Sequence, residues 1–145
     1  MVCGVDGDWL ERVRTLLQAP SPAVLTTYRK DDSAVATPVW YRWHDGAFEV
    51  VIAEGDVKLR HLGRRPECAL VVFETARPFR GVEVRGTPDI VEIDVTQVRI
   101  AIAGRYLGEA DGERYAAQRQ KPGVLLRLTA DNPRVWDLKP ILPRP

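Results

Sequence analysis

Two stretches of the 145-residue chain hold residue types whose order could position a bound or reactive group. The first is Thr37-Pro38-Val39-Trp40, inside a run of strand-forming residues. Proline carries no N–H, so within a strand it belongs at an edge, a bulge or an opening. An opening frees neighbouring backbone N–H and C=O groups to pair with a heterocycle such as the pyrimidine edge of a flavin. An edge proline would instead only shield the strand from unwanted pairing. The residues leave both readings open.

The second stretch is Gly55-Asp-Val-Lys-Leu-Arg-His-Leu-Gly-Arg-Arg65. Asp56 suits the N-cap of a short helix, and Leu59 and Leu62 can pack that helix on its neighbours. Lys58, His61 and Arg65 are then expected near a common face. Free N–H groups and the helix dipole, joined to a lysine ammonium, suit a phosphate. A solvated basic helix is the competing reading, and the carboxylate of Asp56 would repel an anion held there.

Other chemistries find little support. Serine occurs only at Ser21 and Ser33, and no Gly-x-Ser-x-Gly elbow exists. His44 and His61 lack a partner at ligand spacing, so a metal site is not expected. There is no Gly-x-Gly-x-x-Gly and no P-loop.

The elements that must carry these stretches follow from periodicity. Trp9, Val13, Leu16 and Leu17 give an apolar face to a helix over about 8–18, ended by Pro20 and Pro22. Strands are expected over 23–28, 35–43, 47–53, 67–74, 81–93 (interrupted at Pro88), 123–128 and 134–138. His44-Asp-Gly46 is a tight-turn signal, so 35–53 reads as one hairpin. Asp94 and Gln97 resemble a capping box before a helix whose face is Val95, Val98, Ile102 and Tyr106, with Gly108 as its stop. A further helix is expected over 111–120. About six strands with few helices favour an antiparallel barrel, mainly β with short rim helices. The whole chain, 1–145, reads as one domain with a flexible tail at 1–7 and a proline-rich tail at 139–145.

The 21 basic and 20 acidic residues nearly cancel, so no general attraction to nucleic acid or anionic membrane is expected. No apolar run approaches the ~20 residues that span a bilayer, and the N-terminus lacks a signal-peptide core, so a cytoplasmic location is expected. Cys3 falls in the N-terminal tail, while Cys68 opens an apolar run and is expected as a buried free thiol. Of four tryptophans, Trp9 and Trp43 read as core, while Trp40 and Trp136 could line a flat ring or a dimer seam.

The order of several segments resembles the pyridoxamine-phosphate-oxidase-like split-barrel superfamily, in particular its actinobacterial branch of deazaflavin-dependent oxidoreductases. These segments are Ala23–Tyr28, Ala36–Tyr41, Gly55–Arg60 with Arg64-Arg-Pro66, Arg85-Gly-Thr87, Arg105–Gly108 with Tyr115-Ala116, and Val124–Thr129 ending in Trp136-Asp137. The likeness runs from about residue 9 to 138. It implies a six-stranded antiparallel split β-barrel, and a homodimer with two cofactor sites at its subunit interface. It also implies F420 or FMN held through its phosphate.

Carried over by residue, Lys58 matches the phosphate-binding lysine, and Arg60 is a second basic candidate. Thr37, Pro38, Val39 and Trp40, with Val51, Ile52 and Ala53, match the strands that cradle the ring. Many relatives place another basic residue where this chain has Asp56. In such families the cofactor transfers hydride to a planar, conjugated small molecule. No acid–base residue is assigned; Tyr41, Tyr106 and Arg80 are candidate substrate contacts. Two other readings stand beside this oxidoreductase: a barrel that binds a cofactor, haem or lipid without turnover, and a cofactor-free dimer.

Overall fold

The computed structural model describes residues 2–4 and 8–145, and shows a mixed α+β fold of two antiparallel sheets and four α-helices. The strands among the described residues are β1 (Val2–Gly4), β2 (Ala23–Tyr28), β3 (Ala34–Val39), β4 (Arg42–His44), β5 (Ala47–Ala53), β6 (Cys68–Phe73), β7 (Gly81–Gly86), β8 (Asp89–Val91), β9 (Gly123–Thr129) and β10 (Arg134–Asp137). The helices are α1 (Trp9–Gln18), α2 (Val57–Arg64), α3 (Thr96–Leu107) and α4 (Glu109–Gln118). One sheet has the order β1-β10-β7-β6-β2-β3, the other β4-β5-β9-β8. The expected six strands are therefore ten, divided six and four, and α3 with α4 forms a helical pair larger than a rim ornament. No helix of the described residues is long and apolar enough to cross a membrane.

The difference in strand count has a local cause. The run 35–43 is not one strand. β3 pairs with β2, with Pro38 opposite Val24, whereas β4 pairs with β5 in the other sheet. The chain changes sheets at Trp40-Tyr41, so the hairpin closed by Asp45-Gly46 spans 42–53 rather than 35–53. Its two-residue loop has positive φ at both Asp45 (49°) and Gly46 (75°), which matches the twist of the flanking strands. The run 81–93 divides in the same way. β7 stays in the six-stranded sheet, and after Pro88 β8 joins β9.

Between the sheets lies the main core. Leu25, Leu70, Val72, Val82 and Val84 come from one sheet and Phe48, Val50, Ile52, Leu126 and Leu128 from the other, closed by Val13, Leu16 and Leu17 of α1. Trp9 and Trp43 meet edge to face at 5.6 Å and pack on this core, as expected. Cys68 is buried, and burial pushes its thiol up to about 12. A smaller cluster of Val95, Val98, Ile102 and Leu125 seats α3 on the far face of the four-stranded sheet.

α3 and α4 cross closely because Gly112 faces Gly104; a Cβ on Gly112 would stand 2.6 Å from the Gly104 backbone. At the start of α3, Asp94 Oδ1 accepts from the Thr96 N–H and hydroxyl (3.0 and 2.6 Å), in place of a box with Gln97. Of the segment 1–7, residues 2–4 pair with β10 as β1, and Met1 and residues 5–7 lie outside the described residues. In the C-terminal stretch, Lys139–Ile141 forms one 3-10 turn.

Candidate functional site

A cleft of about 690 Å³ opens where the chain leaves β3, where β5 ends, and where α2 begins, with α3 and α4 as its opposite wall. Its position follows from the sheet change. β3 stops at Val39, and Trp40 projects between the strands and the helical pair. There its indole stacks on Tyr106 (5.0 Å between centroids, 9° between planes) and meets Tyr115 at 5.1 Å. Val51 and Ala53 of β5 lie opposite Leu125 and Gly123 of β9. A Cβ on Gly123 would come within 2.7 Å of the Ile52 carbonyl, so the two strand ends pack tightly there. That volume lies within the ~300–1,000 Å³ of small-molecule pockets.

Of the expected site residues, the cleft gathers Pro38, Val39, Trp40, Val51, Ile52, Ala53 and Lys58. Thr37 is not among its lining residues. It lies opposite Leu25 in the β2–β3 ladder, one residue before the strand reaches the cleft. Arg60 points elsewhere, into a surface groove with Arg29, Lys30 and Arg64. His61 leaves the expected basic face altogether: it is buried, and its Nδ1 lies 2.9 Å from Thr27 Oγ1, a buried hydrogen bond. Arg65 turns to the Tyr28 ring (3.9 Å) and Asp32. The common face of Lys58, His61 and Arg65 does not form, because the α2 face that packs on β2 takes His61 with it.

Lys58 is not a free cation. The Asp56 carboxylate accepts from the Lys58 backbone N–H (2.9 Å), capping α2, and from Nζ (3.2 and 3.1 Å). Partial burial alone would raise the Asp56 carboxyl, but the bonds from Lys58 and the charges of Lys58 and Lys121 hold it below its ordinary value. The helix terminus thus meets its own carboxylate before any outside anion.

The sheet change is held by groups the sequence reading did not single out for that task. Arg105 donates from Nη1 to the Tyr41 carbonyl, and from Nη2 to the carbonyls of Leu17 (2.9 Å) and Ala19 (2.6 Å). One guanidinium so ties the end of α1 to the crossing point. Tyr106 Oη donates to the Ser21 carbonyl at 3.0 Å and accepts from the Tyr41 N–H at 3.4 Å. Burial raises the Tyr106 phenol and pushes Tyr41 up to about 12, against the opposing pull of Arg105. Tyr41 is fully buried, and Arg80 is bound to Glu74 at 2.7 Å outside the cleft lining, so of the three candidate substrate contacts only Tyr106 reaches the cleft. Arg99, Arg119, Lys121 and Tyr115 also line it. They come from helices and a loop far along the chain; Tyr115 lies in a segment that carries the family resemblance, and no local motif marks Arg99, Arg119 or Lys121.

Residues 10–137 match the sequence family described as pyridoxamine 5'-phosphate oxidase. No curated protein matches the chain by sequence. Among solved structures, a conserved hypothetical protein from Mycobacterium tuberculosis superposes with a TM-score of 0.79 at 23% identity, covering 98% of this chain and 95% of that one. An F420 reductase gives 0.62 at 24% identity, covering 83% and 94%. HutZ, the heme storage protein from Vibrio cholerae, gives 0.64 at 15%, covering 86% and 92%.

Proposed function

Because the chain belongs to the pyridoxamine 5'-phosphate oxidase family, we propose that its cleft holds F420 or FMN and that the protein is an oxidoreductase. The acceptor on this reading is an unsaturated, planar small molecule. The observation that carries it is the meeting of Pro38–Trp40, Val51–Ala53 and Lys58 around one cavity large enough for a tricyclic ring. Likeness to an F420 reductase supports the deazaflavin choice. The sites are completed in a homodimer, as the family resemblance implies.

A bound flavin or deazaflavin would supply the hydride chemistry, and the chain's own task is placement. The strand ends at Val39 and Ala53 offer backbone groups and apolar walls to the ring. Trp40, backed by Tyr106 and Tyr115, closes one flank and keeps water from it. Lys58 is the group for the phosphate, once Asp56 yields it. Tyr106 is committed to the Ser21 carbonyl and holds the wall rather than delivering a proton.

Titration of the purified protein with F420 and with FMN, read by fluorescence, tests this. Saturable binding of either supports the reading, F420 preference places the chain with deazaflavin reductases, and binding of neither overturns it. Light scattering reports the dimer; a stable 16.3 kDa species would remove the intersubunit site. One observation favours a second reading. The Asp56–Lys58 pair suits a ligand with no phosphate, such as haem or a lipid held without turnover, and the likeness to a heme storage protein points the same way. A haemin titration followed in the Soret band separates the two.

A further inference from the structure

The cleft is electrically lopsided. Lys58 and Asp56 stand on the α2 side as a closed pair. On the α3–α4 side are Arg99, Arg119 and Lys121, and Asp56 is the one carboxylate among the described residues that line the cavity. Arg99 Nη2 donates to the Lys121 carbonyl at 2.9 Å, which sets the Arg99 guanidinium beside the loop that leads into β9. The Arg119 guanidinium lies 5.0 Å from the centre of the Tyr115 ring, itself in contact with Trp40. Arg119 therefore borders the aromatic wall, and Arg99 and Lys121, joined to each other, line the same cavity. No ion pair binds Arg99, Arg119 or Lys121 to a carboxylate in the described structure, whereas Arg42, Arg80 and Arg127 are each paired with a glutamate.

We propose that Arg99, Arg119 and Lys121 form an anion subsite of the cleft, which takes a carboxylate or phosphate carried by a flat, apolar ligand. This rests on the reading of the cleft as a ligand site, and deepens it by naming the ligand class: planar bodies with an acidic arm. Guanidinium groups present paired donors that match the oxygens of such an arm, and Lys121 adds a point charge. Asp56 is bonded to Lys58; the charge of Lys121 acts on it as well, as that of Arg99 acts on Asp94, but no carboxylate among the described residues holds any of the three cations in a direct ion pair. The acidic arm can belong to the cofactor or to the hydride acceptor, and the two sources are separable.

The test uses a probe that needs no cofactor. Anilinonaphthalene sulfonate carries its anion on a flat naphthalene ring, and N-phenyl-1-naphthylamine is its neutral counterpart; both brighten in apolar clefts. Arg119→Gln with Lys121→Gln is expected to weaken the sulfonate about tenfold and leave the neutral dye unchanged, the size of two partly exposed charge contacts. Raising salt from low to high should erode the wild-type preference in the same direction. Arg119→Lys, which keeps the charge but not the flat face on Tyr115, should retain most of the preference. Equal loss for both dyes, or no loss for either, overturns the subsite.

The outcome is independent of the cofactor reading, because the dyes report whether or not F420 or FMN binds. If a cofactor does bind, a weakened cofactor Kd in the double variant assigns the arm to the cofactor. An unchanged Kd with a raised KM for acidic acceptors assigns it to the acceptor.

Discussion

Asp56→Asn isolates what the carboxylate does at the mouth of the cleft. In the wild-type protein its oxygens cap α2 through the Lys58 N–H and hold the Lys58 ammonium at 3.1 and 3.2 Å. Asparagine is as good an N-cap as aspartate, so the capping bond survives. What is lost is a partly exposed ion pair, with side chains 15% and 28% accessible. Such pairs contribute about 0.2–1 kcal/mol. For a chain of this length that is a fall in Tm of about 1–4 °C.

The effect on a phosphate has the opposite sign. A unit charge at 4 Å contributes about 1 kcal/mol in water and about 4 at an effective dielectric of 20. For this half-open site about 1–2 kcal/mol of repulsion is removed, and Lys58 is released as well. FMN affinity is therefore expected to rise about 5- to 30-fold while stability falls. Riboflavin, which has the ring and no phosphate, should bind both proteins alike. Fluorescence titration with the two flavins and a thermal melt provide the readings.

The pH dependence has a defined sign too. Because the folded Asp56 carboxyl is held below its ordinary value, its stabilisation is present above the ordinary carboxylate range, and is lost as pH falls through the folded value. The melting difference between the two proteins should close in acid. An FMN affinity that stays level or drops, or a riboflavin affinity that rises equally, would refute the idea that Asp56 competes for Lys58.

Three further outcomes are expected. Lys58→Ala should weaken F420 or FMN by about 1.5–3 kcal/mol in a titration, the contribution of a hydrogen bond to a charged group. Arg105→Ala leaves the carbonyls of Leu17, Ala19 and Tyr41 without their shared donor, and should cost about 2–3 kcal/mol in denaturant unfolding; an unchanged midpoint would show that the crossing point holds itself. Cys68 and Tyr41 both have folded values raised to about 12. Their stabilisation is full below the unfolded values near 9 and 10, and disappears as pH rises through about 12. Melts from pH 8 to 12 should therefore show a falling Tm, and a Cys68→Ala, Tyr41→Phe variant should show a shallower fall.

Where sequence periodicity and tertiary structure agree, the signal is local. The α1 face, the Asp45-Gly46 turn, the interruption at Pro88 and the stop at Gly108 all depend on residues within a few positions. The error at 35–43 has the opposite origin. Alternation of apolar residues runs on through Trp40 and Tyr41 without a defect, while the partner changes, because Arg105 and Tyr106 bind the Tyr41 backbone from more than sixty residues away. His61 misled for a similar reason, since its partner Thr27 lies on β2. The walls of the cleft at 38–40, 51–53 and 58 were legible through family resemblance. Arg99, Arg119 and Lys121 were not, because the α3–α4 pair brings them in and no single stretch of chain holds them together.

The strand order β1-β10-β7 bears on how the protein is made. β10 (Arg134–Asp137) is inserted between the strand nearest the start of the chain and β7. On a ribosome, β7 and β1 are both synthesised well before the strand that bridges them, and β5 likewise waits for β9, some seventy residues on. Until β9 and β10 clear the exit tunnel, the nascent chain carries unpaired strand edges, the situation that invites pairing with other chains. Cellular yield should thus depend on chaperone supply and on translation speed through residues 123–137.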